Sequence, residues 1–443
     1  MFPRTNVTRA LLAAALGLAL AGCPGGEQGP AGADGIDGED GDDGQRGTDC
    51  WDLNGNGEAD VASEDSNGDG SVDILDCSGI PGDDGQNGED GEDGEDWTAP
   101  SWIGSSECAD CHDDQYQKFV RSGHPYKLME INGVEPTAPP WDGLGDFGHF
   151  APDPPDGWDW SDVSYVIGGW GWKQRFVDND GWIITGSEVQ YNLATDGWVA
   201  YHEDEDPGTK SYNCGSCHTS GYSPEGNQDG LAGITGTWEQ PGVHCEECHG
   251  RGSQHAADPY VVPMHIDRSA NQCGTCHYRT DQSVIPASGG YIKHHEQWNE
   301  MYHSKKVAMD CIDCHDPHAS ARYAEDTYNP NKSIRSDCSE CHYQQAAYQD
   351  SIVMSSFLEC IDCHMPYATK SAVASDEWTG DVRTHLFSIN PDATAPQFSE
   401  DGSEAMPYVS LEFACRKCHH DGGTAVNYDD GTLTEEADGY HGG

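Results

Sequence analysis

The sequence is short of positive charge. Its 443 residues carry 22 Lys and Arg against 78 Asp and Glu, a formal net charge of −56. Phosphate needs a basic face, so nucleic acid is excluded as a partner, and charge alone would not draw this chain to an acidic membrane. Apolar residues are scarce too, at 35 %, while glycine reaches 55. Such a chain barely assembles a large aliphatic core from its own side chains. Some other apolar component must fill the interior, or much of the chain stays unpacked. The longest apolar run, Ala10 to Ala21, is too short to span a bilayer comfortably.

Cysteine is plentiful. Nineteen are far too many for inert cytosolic thiols. Sixteen fall in pairs, which leaves Cys23, Cys50 and Cys77 to be explained separately. Cys23 ends the stretch Leu20-Ala21-Gly22-Cys23, behind an apolar run that follows Arg4 and Arg9. This resembles the bacterial lipobox. It implies a signal peptide over residues 1–22 and a lipid-bearing Cys23. The expected location is outside the cytoplasm, lipid-anchored to an outer membrane, cell surface or periplasmic face.

Glycine recurs every third residue from Gly26 to Asp49 and again from Gly79 to Asp96. The pattern resembles collagen but has almost no proline and hardly a basic residue. Residues 23–49 and 79–97 are therefore read as acidic, self-repelling linkers, with a trimeric stalk as the alternative. Between them, residues 50–78 hold Asp65, Asn67, Asp69 and Asp76 at the spacing of a calcium loop, with Gly70 at its sharp turn. Asp52, Asn54 and Asn56 begin a weaker copy. Cys50 and Cys77 bracket this unit as a candidate disulfide.

One motif recurs eight times, C-x-x-C-H. The cysteine pairs are Cys108/Cys111, Cys214/Cys217, Cys245/Cys248, Cys273/Cys276, Cys311/Cys314, Cys338/Cys341, Cys360/Cys363 and Cys415/Cys418. The histidines that follow are His112, His218, His249, His277, His315, His342, His364 and His419. Two sulfurs at this spacing bond to the two vinyl groups of a porphyrin, and the next histidine reaches the iron from one side. Zinc ribbons and redox disulfides also use C-x-x-C, but neither requires histidine next. The expectation is eight covalently bound haem c groups.

Thirteen histidines lie outside the motifs, enough to supply a second axial ligand to every iron. The candidates are His124, His255, His265, His294, His295, His303, His318 and His385. His149, His202, His244, His420 and His441 rank below them. His255 in "CHGRGSQH" and His318 in "CHDPH" are too close to their own motifs to wrap round the same haem, so each is expected to serve a neighbour.

On these motifs, residues 100–420 resemble a multihaem c-type cytochrome. "CEECHGRGSQH" resembles the group containing hydroxylamine oxidoreductase and the tetrahaem cytochrome of nitrifying bacteria. The resemblance implies a mostly α and irregular fold over residues 98–443, with haem filling its core. In related reductases a catalytic haem often has an open distal side or a lysine ligand. No C-x-x-C-K motif occurs here, although Lys305, Lys306 or Lys417 could act distally. Residues 141–202 have no attachment motif, but they hold seven tryptophans and two Asp-Gly turns between β-rich runs. They read as a small β-hairpin insertion with an aromatic core.

The expected function is electron transfer along a chain of bis-histidine haems, in respiratory or extracellular electron flow. The partners would be redox proteins or extracellular acceptors, and assembly into oligomers or filaments stays open. The alternatives are an octahaem reductase of nitrite, hydroxylamine or a sulfur oxyanion, and a haem-bearing surface filament or adhesin. No catalytic residue is assigned. Mass spectrometry of the mature protein should find a lipidated N-terminal Cys23 and eight haem additions; fewer than seven in a matured sample would contradict the motif reading.

Overall fold

The computed structural model describes residues 99–136, 153–278, 282–320, 333–349, 358–438 and 440–441, with scattered positions between 54 and 76. It divides into two units, Met1–Asp96 and Trp97–Gly443. Cys23, both glycine-periodic tracts, Cys50, Cys77, Asn67 and Asp69 lie outside the described residues.

In the first unit a single helical turn, Val61–Glu64, carries a buried Glu64. Its carboxylate accepts the backbone N–H of Asp60 at 2.9 Å. Asp65 accepts the N–H groups of Gly68 (2.6 Å) and Gly70 (2.9 Å). Both glycines have positive φ, 77° and 91°, which a side chain would resist. Asp76 is also buried.

The second unit is mixed α and β rather than mostly α. Five antiparallel strands form a meander in sequence order: β1 (Leu128–Glu130), β2 (Val163–Gly168), β3 (Lys173–Asp178), β4 (Gly186–Asn192) and β5 (Gly197–Tyr201). The sheet is larger than the expected hairpin insertion and begins earlier, at β1. Alternation explains its stability. Val163, Val166, Phe176, Val189 and Tyr191 point into one apolar cluster with Trp170, while Tyr165, Ile167 and Val177 point into another with Tyr212 and Trp238. Asp-Gly turns close it as anticipated: Asp196 and Gly197 end the β4–β5 turn, with Asp196 at φ 48°.

Two smaller sheets complete the β structure. β6 (Thr219–Ser220) pairs with β7 (Gln240–Pro241). β9 (Tyr291–Lys293) lies between β8 (Ala287–Ser288) and a parallel β10 (Thr369–Lys370). A third apolar cluster, with Ile292, Leu386, Val409 and Phe413, packs around this second sheet. The chain thus builds cores of its own, from aromatic and β-branched strand residues. Outside them, helices are short, the longest among the described residues being nine residues (Asp430–Asp438). Among the described residues no helix is long and apolar enough to cross a membrane.

A buried carboxylate ties the start of this unit to its middle. Glu246, 2 % exposed, accepts the N–H groups of Ile103 (3.0 Å), Gly104 (2.8 Å) and Gly252 (2.8 Å). Ile103 and Gly104 lead into the first C-x-x-C-H motif, and Glu246 lies inside the third. Glu246→Ala would leave these donors buried and unpaired. It should cost about 3 kcal/mol of stability, read as a lowered denaturant midpoint; an unchanged midpoint would show that the clamp contributes nothing.

Candidate functional site: crossed histidine pairs

Five of the eight attachment motifs sit on one turn of helix: Gly215–His218 beside Cys214, Cys245–His249, Cys311–Cys314, Cys338–Cys341 and Cys360–His364. An i, i+3 pair on one helical turn points both sulfurs to the same side. The eight motifs, identical in pattern, are not identical in structure. At the first, fourth and eighth the helix ends before the second cysteine, at Ala109, Gly274 and Arg416. Cys111, Cys276 and Cys418 therefore lie in the turn that follows, and Cys111 is exposed. The local bond persists there, which explains why the sulfur spacing survives the loss of helix. The N–H of Cys111 donates to the Cys108 carbonyl (3.3 Å), Cys276 to Cys273 (3.2 Å) and Cys418 to Cys415 (3.1 Å). No disulfide joins the sixteen motif cysteines, Cys111 and Cys418 among them.

The turn is closed by the histidine N–H, which donates to the first cysteine's carbonyl: His112 to Cys108, His277 to Cys273, His315 to Cys311 and His342 to Cys338, all 2.9 Å. In three motifs a carboxylate just before the second cysteine accepts the N–H of the residue just before the first. These are Asp313 on Asp310 (2.9 Å), Glu340 on Asp337 (3.2 Å) and Asp362 on Glu359 (2.9 Å). Such capping secures turns too short to be stable alone.

The imidazoles are held from one side. Nδ1 of His249 faces the carbonyl of His265 at 3.0 Å, His255 that of Val262 at 2.7 Å, His364 that of Phe387 at 2.7 Å and His419 that of Val426 at 2.7 Å. Nδ1 of His277 lies 3.3 Å from Gln297 Oε1, and that of His318 3.0 Å from Asp316 Oδ1. A carbonyl or carboxylate acceptor keeps the proton on Nδ1 and leaves Nε2 with its lone pair free to ligate. Burial also pushes the His124 and His385 imidazoles down to about 3, and lowers those of His277 and His315. They are neutral, the form that binds a metal.

Five motif histidines face a histidine from elsewhere in the chain. The pairs and their ring-centroid separations are His112–His255 (6.2 Å), His277–His124 (6.5 Å), His249–His318 (6.2 Å), His315–His385 (6.2 Å) and His364–His441 (5.9 Å). Two imidazoles on opposite sides of one metal ion, each bonded at about 2 Å, place their centroids about 6 Å apart. The donor set and its spacing therefore fit an iron held between each pair. At the fifth pair an open cleft of ≈ 280 Å³ is lined by Leu358, Cys360, Cys363, His364, Tyr440 and His441. No cluster of three or more His, Cys, Asp or Glu suited to a metal ion occurs among the described residues, the arrangement a zinc ribbon would need.

The other motif histidines differ. Opposite His342 stands Lys306, its Nζ 2.9 Å from His342 Nε2. The His419 ring stacks on Tyr428 at 4.8 Å. Of the lysines singled out in the sequence, Lys417 instead donates to the Asp362 carbonyl at 3.0 Å.

Among the sequence-derived distal candidates, His124, His255, His318 and His385 stand opposite motif histidines. His255 and His318 face motifs other than their own. His265 offers its carbonyl to His249. His303 Nε2 faces the Gln282 carbonyl at 3.0 Å, and His294 and His295 pack on each other at 4.1 Å. His441, ranked low from sequence, faces His364. Nothing local marks it, since it sits in the polar "DGYHGG" tail and only the fold carries it there.

The motifs also adjoin one another. The Cys108 side chain lies beside that of Cys245, Cys217 beside Cys276, and Cys273 beside Cys311. Cys248 is close enough to Cys273, Cys314 to Cys341, and Cys338 to Cys360 for their charges to interact. Cys363 interacts in the same way with both cysteines of the eighth motif, Cys415 and Cys418. The first motif meets the third through Cys108, while Cys111 stands on its exposed side.

Residues 192–250, which contain the second and third motifs, match the family model described as cytochrome c554 and c-prime. No curated protein matches the sequence. Among solved structures, the octahaem sulfite reductase MccA of Wolinella succinogenes is similar at TM-score 0.50 and 18 % identity, over 78 % of this chain and 72 % of that one. The outer cell wall cytochrome OcwA aligns at TM-score 0.46 and 17 % identity, over 76 % of this chain and 86 % of that one. The undecahaem cytochrome from the S-layer of Carboxydothermus ferrireducens aligns at TM-score 0.44 and 17 % identity, over 76 % and 60 %. With the attachment motifs, the family match and the MccA likeness support covalently held haem c on the fold of a multihaem cytochrome.

Proposed function

We propose that residues 98–443 carry eight haem c groups, one at each C-x-x-C-H motif, and that the protein conducts electrons along them. The observation that carries this reading is the set of five histidine pairs at 5.9–6.5 Å, each joining a motif histidine to one distant in sequence. Haem c supplies a one-electron iron couple. The chain's residues do the rest. The cysteine pairs, from Cys108 and Cys111 to Cys415 and Cys418, fix position and orientation. His112, His277, His249, His315 and His364 would hold each iron from one side, and His255, His124, His318, His385 and His441 from the other. Lys306 would be the distal ligand opposite His342, its Nζ drawing back from 2.9 Å to about 4 Å to admit an iron. His265, His294, His295 and His303 remain for the irons at His218 and His419. Porphyrins held by these side chains would supply further apolar surface to the interior.

Adjacent cysteine pairs give the order of the sites. Numbered by motif, the first lies beside the third, the third beside the fourth, and the fourth beside the fifth. The sixth, seventh and eighth follow, with the second branching off at the fourth. Conduction needs such an unbroken series, and protein ligands on both sides of an iron keep small molecules off it.

The second reading, an oxyanion reductase, draws on His419, which faces Tyr428 rather than a histidine. The solved structure MccA is a sulfite reductase by name.

In this proposal the protein is exported, with Cys23 lipidated and Cys50 bonded to Cys77. Calcium binds Asp65, Asn67, Asp69 and Asp76, for which the Asp65 turn over Gly68 and Gly70 is the support. Its partners are redox proteins or extracellular acceptors.

Paramagnetic resonance of the oxidised protein should show low-spin iron throughout, and the reduced protein should not bind carbon monoxide. A stoichiometric high-spin haem with turnover of sulfite, nitrite or hydroxylamine would favour the reductase. His255→Ala should open one iron, adding one carbon monoxide site per chain with all haems still attached. Lys306→Ala should do the same at the sixth motif, and Lys305→Ala should not; equal spectra for both lysine variants would remove Lys306 from the ligand set.

A further inference from the structure

His385 breaks the pattern of anchored imidazoles. Its Nδ1 is buried and has no hydrogen-bond partner among the described residues. The nearest anionic group is Glu300, whose Oε2 lies 3.9 Å away. Glu300 is completely buried in the turn of helix Gln297–His303. Three donors converge on its carboxylate: the Thr384 hydroxyl at 2.8 Å, the Thr369 hydroxyl at 3.3 Å and the backbone N–H of His385 itself. Burial, with a smaller push from Glu296, raises the Glu300 carboxyl to about 7, and these three donors oppose that rise because an ionised carboxyl can accept from all of them. No ion pair with Lys or Arg is formed by Glu300 among the described residues, whereas the Asp316 carboxylate at His318 is shared with Lys118 at 2.9 Å.

We propose that Glu300 is a positioning residue for the fifth haem site, holding the 384–386 turn in place and accepting the Nδ1–H of His385 when that imidazole ligates iron opposite His315. The inference rests on the reading that haem is attached at Cys311 and Cys314. The other anchored histidines use mainly backbone carbonyls, and a buried unshared carboxylate differs from these in kind. It increases electron donation from the imidazole and stabilises ferric over ferrous iron, so this site has a lower reduction potential than the same ligands would give with a carbonyl acceptor. A ring rotation that moves Nδ1 by about 1 Å brings 3.9 Å into hydrogen-bond range.

The test is Glu300→Gln in the full-length matured protein. Haem content by mass checks the attachment reading separately, since a missing haem would fail there first. With all haems present, a spectroelectrochemical titration should show one component shifted to higher potential, with a change in one low-spin paramagnetic signal. Unchanged potentials and spectra would overturn the proposal, because a purely structural glutamate would leave them in place once the protein folds. Should Glu300→Gln fail to accumulate, Thr384→Val serves. It removes one donor but keeps the charge, and it should shift the same component to lower potential; no shift, or an upward one, would overturn the proposal.

Discussion

An imidazole has two nitrogens, and the architecture follows from how the two are used. In the rings of His249, His255, His277, His318, His364 and His419 one is committed to the protein, through a carbonyl or carboxylate on Nδ1. The other is left for a metal. A C-x-x-C-H turn can supply only one such ring to its own haem, because its histidine follows directly on the cysteines. The second ring must come from elsewhere, and in this protein it comes from far along the chain. His124 reaches the fourth motif, His318 the third and His441 the seventh. An iron held between each pair would therefore work as a cross-link between distant segments, much as a disulfide does. This explains how short helices and long loops hold a defined shape. It also explains why the apolar clusters centre on the sheets rather than on the motif helices.

In the proposed function the same crossing would serve conduction. A ligand drawn from a neighbouring motif's segment brings that motif's haem with it. His255 follows the third motif and faces the first, and the first and third cysteine pairs are in contact. Ligation and proximity are thus two consequences of one chain path. Strong negative charge adds solubility and keeps the exterior hydrated. It also favours cationic or metal-bearing partners over acidic ones.

The attachment sites were legible in the sequence because their chemistry is local: two sulfurs and a ring within five residues. What the repeat hides is that Cys111, Cys276 and Cys418 leave the helix while the other second cysteines stay in it. Local hydrogen bonds hold the spacing either way, so the pattern does not record the difference. The Asp-Gly turns of the sheet were legible for the same reason as the motifs. The distal partners were harder to read. A histidine that will face a metal looks like any other until the fold brings a second ring opposite it. His255 and His318 could be reasoned out, since a short tether forbids them their own haem. His441 could not, because its environment is made by residues near position 360. Lys306 stood among three lysines that only side-chain geometry separates. The start of the sheet was missed because β1 is three residues long and carries no alternation to detect.

The central claim is that iron lies between the crossed pairs, and anomalous X-ray scattering tests it most directly. Crystals of the matured protein, measured on both sides of the iron absorption edge, should show an iron peak midway between His112 and His255. Equivalent peaks should lie between His124 and His277, His249 and His318, His315 and His385, and His364 and His441. Iron absent from these midpoints, or a zinc signal at the cysteine pairs instead, would contradict the account.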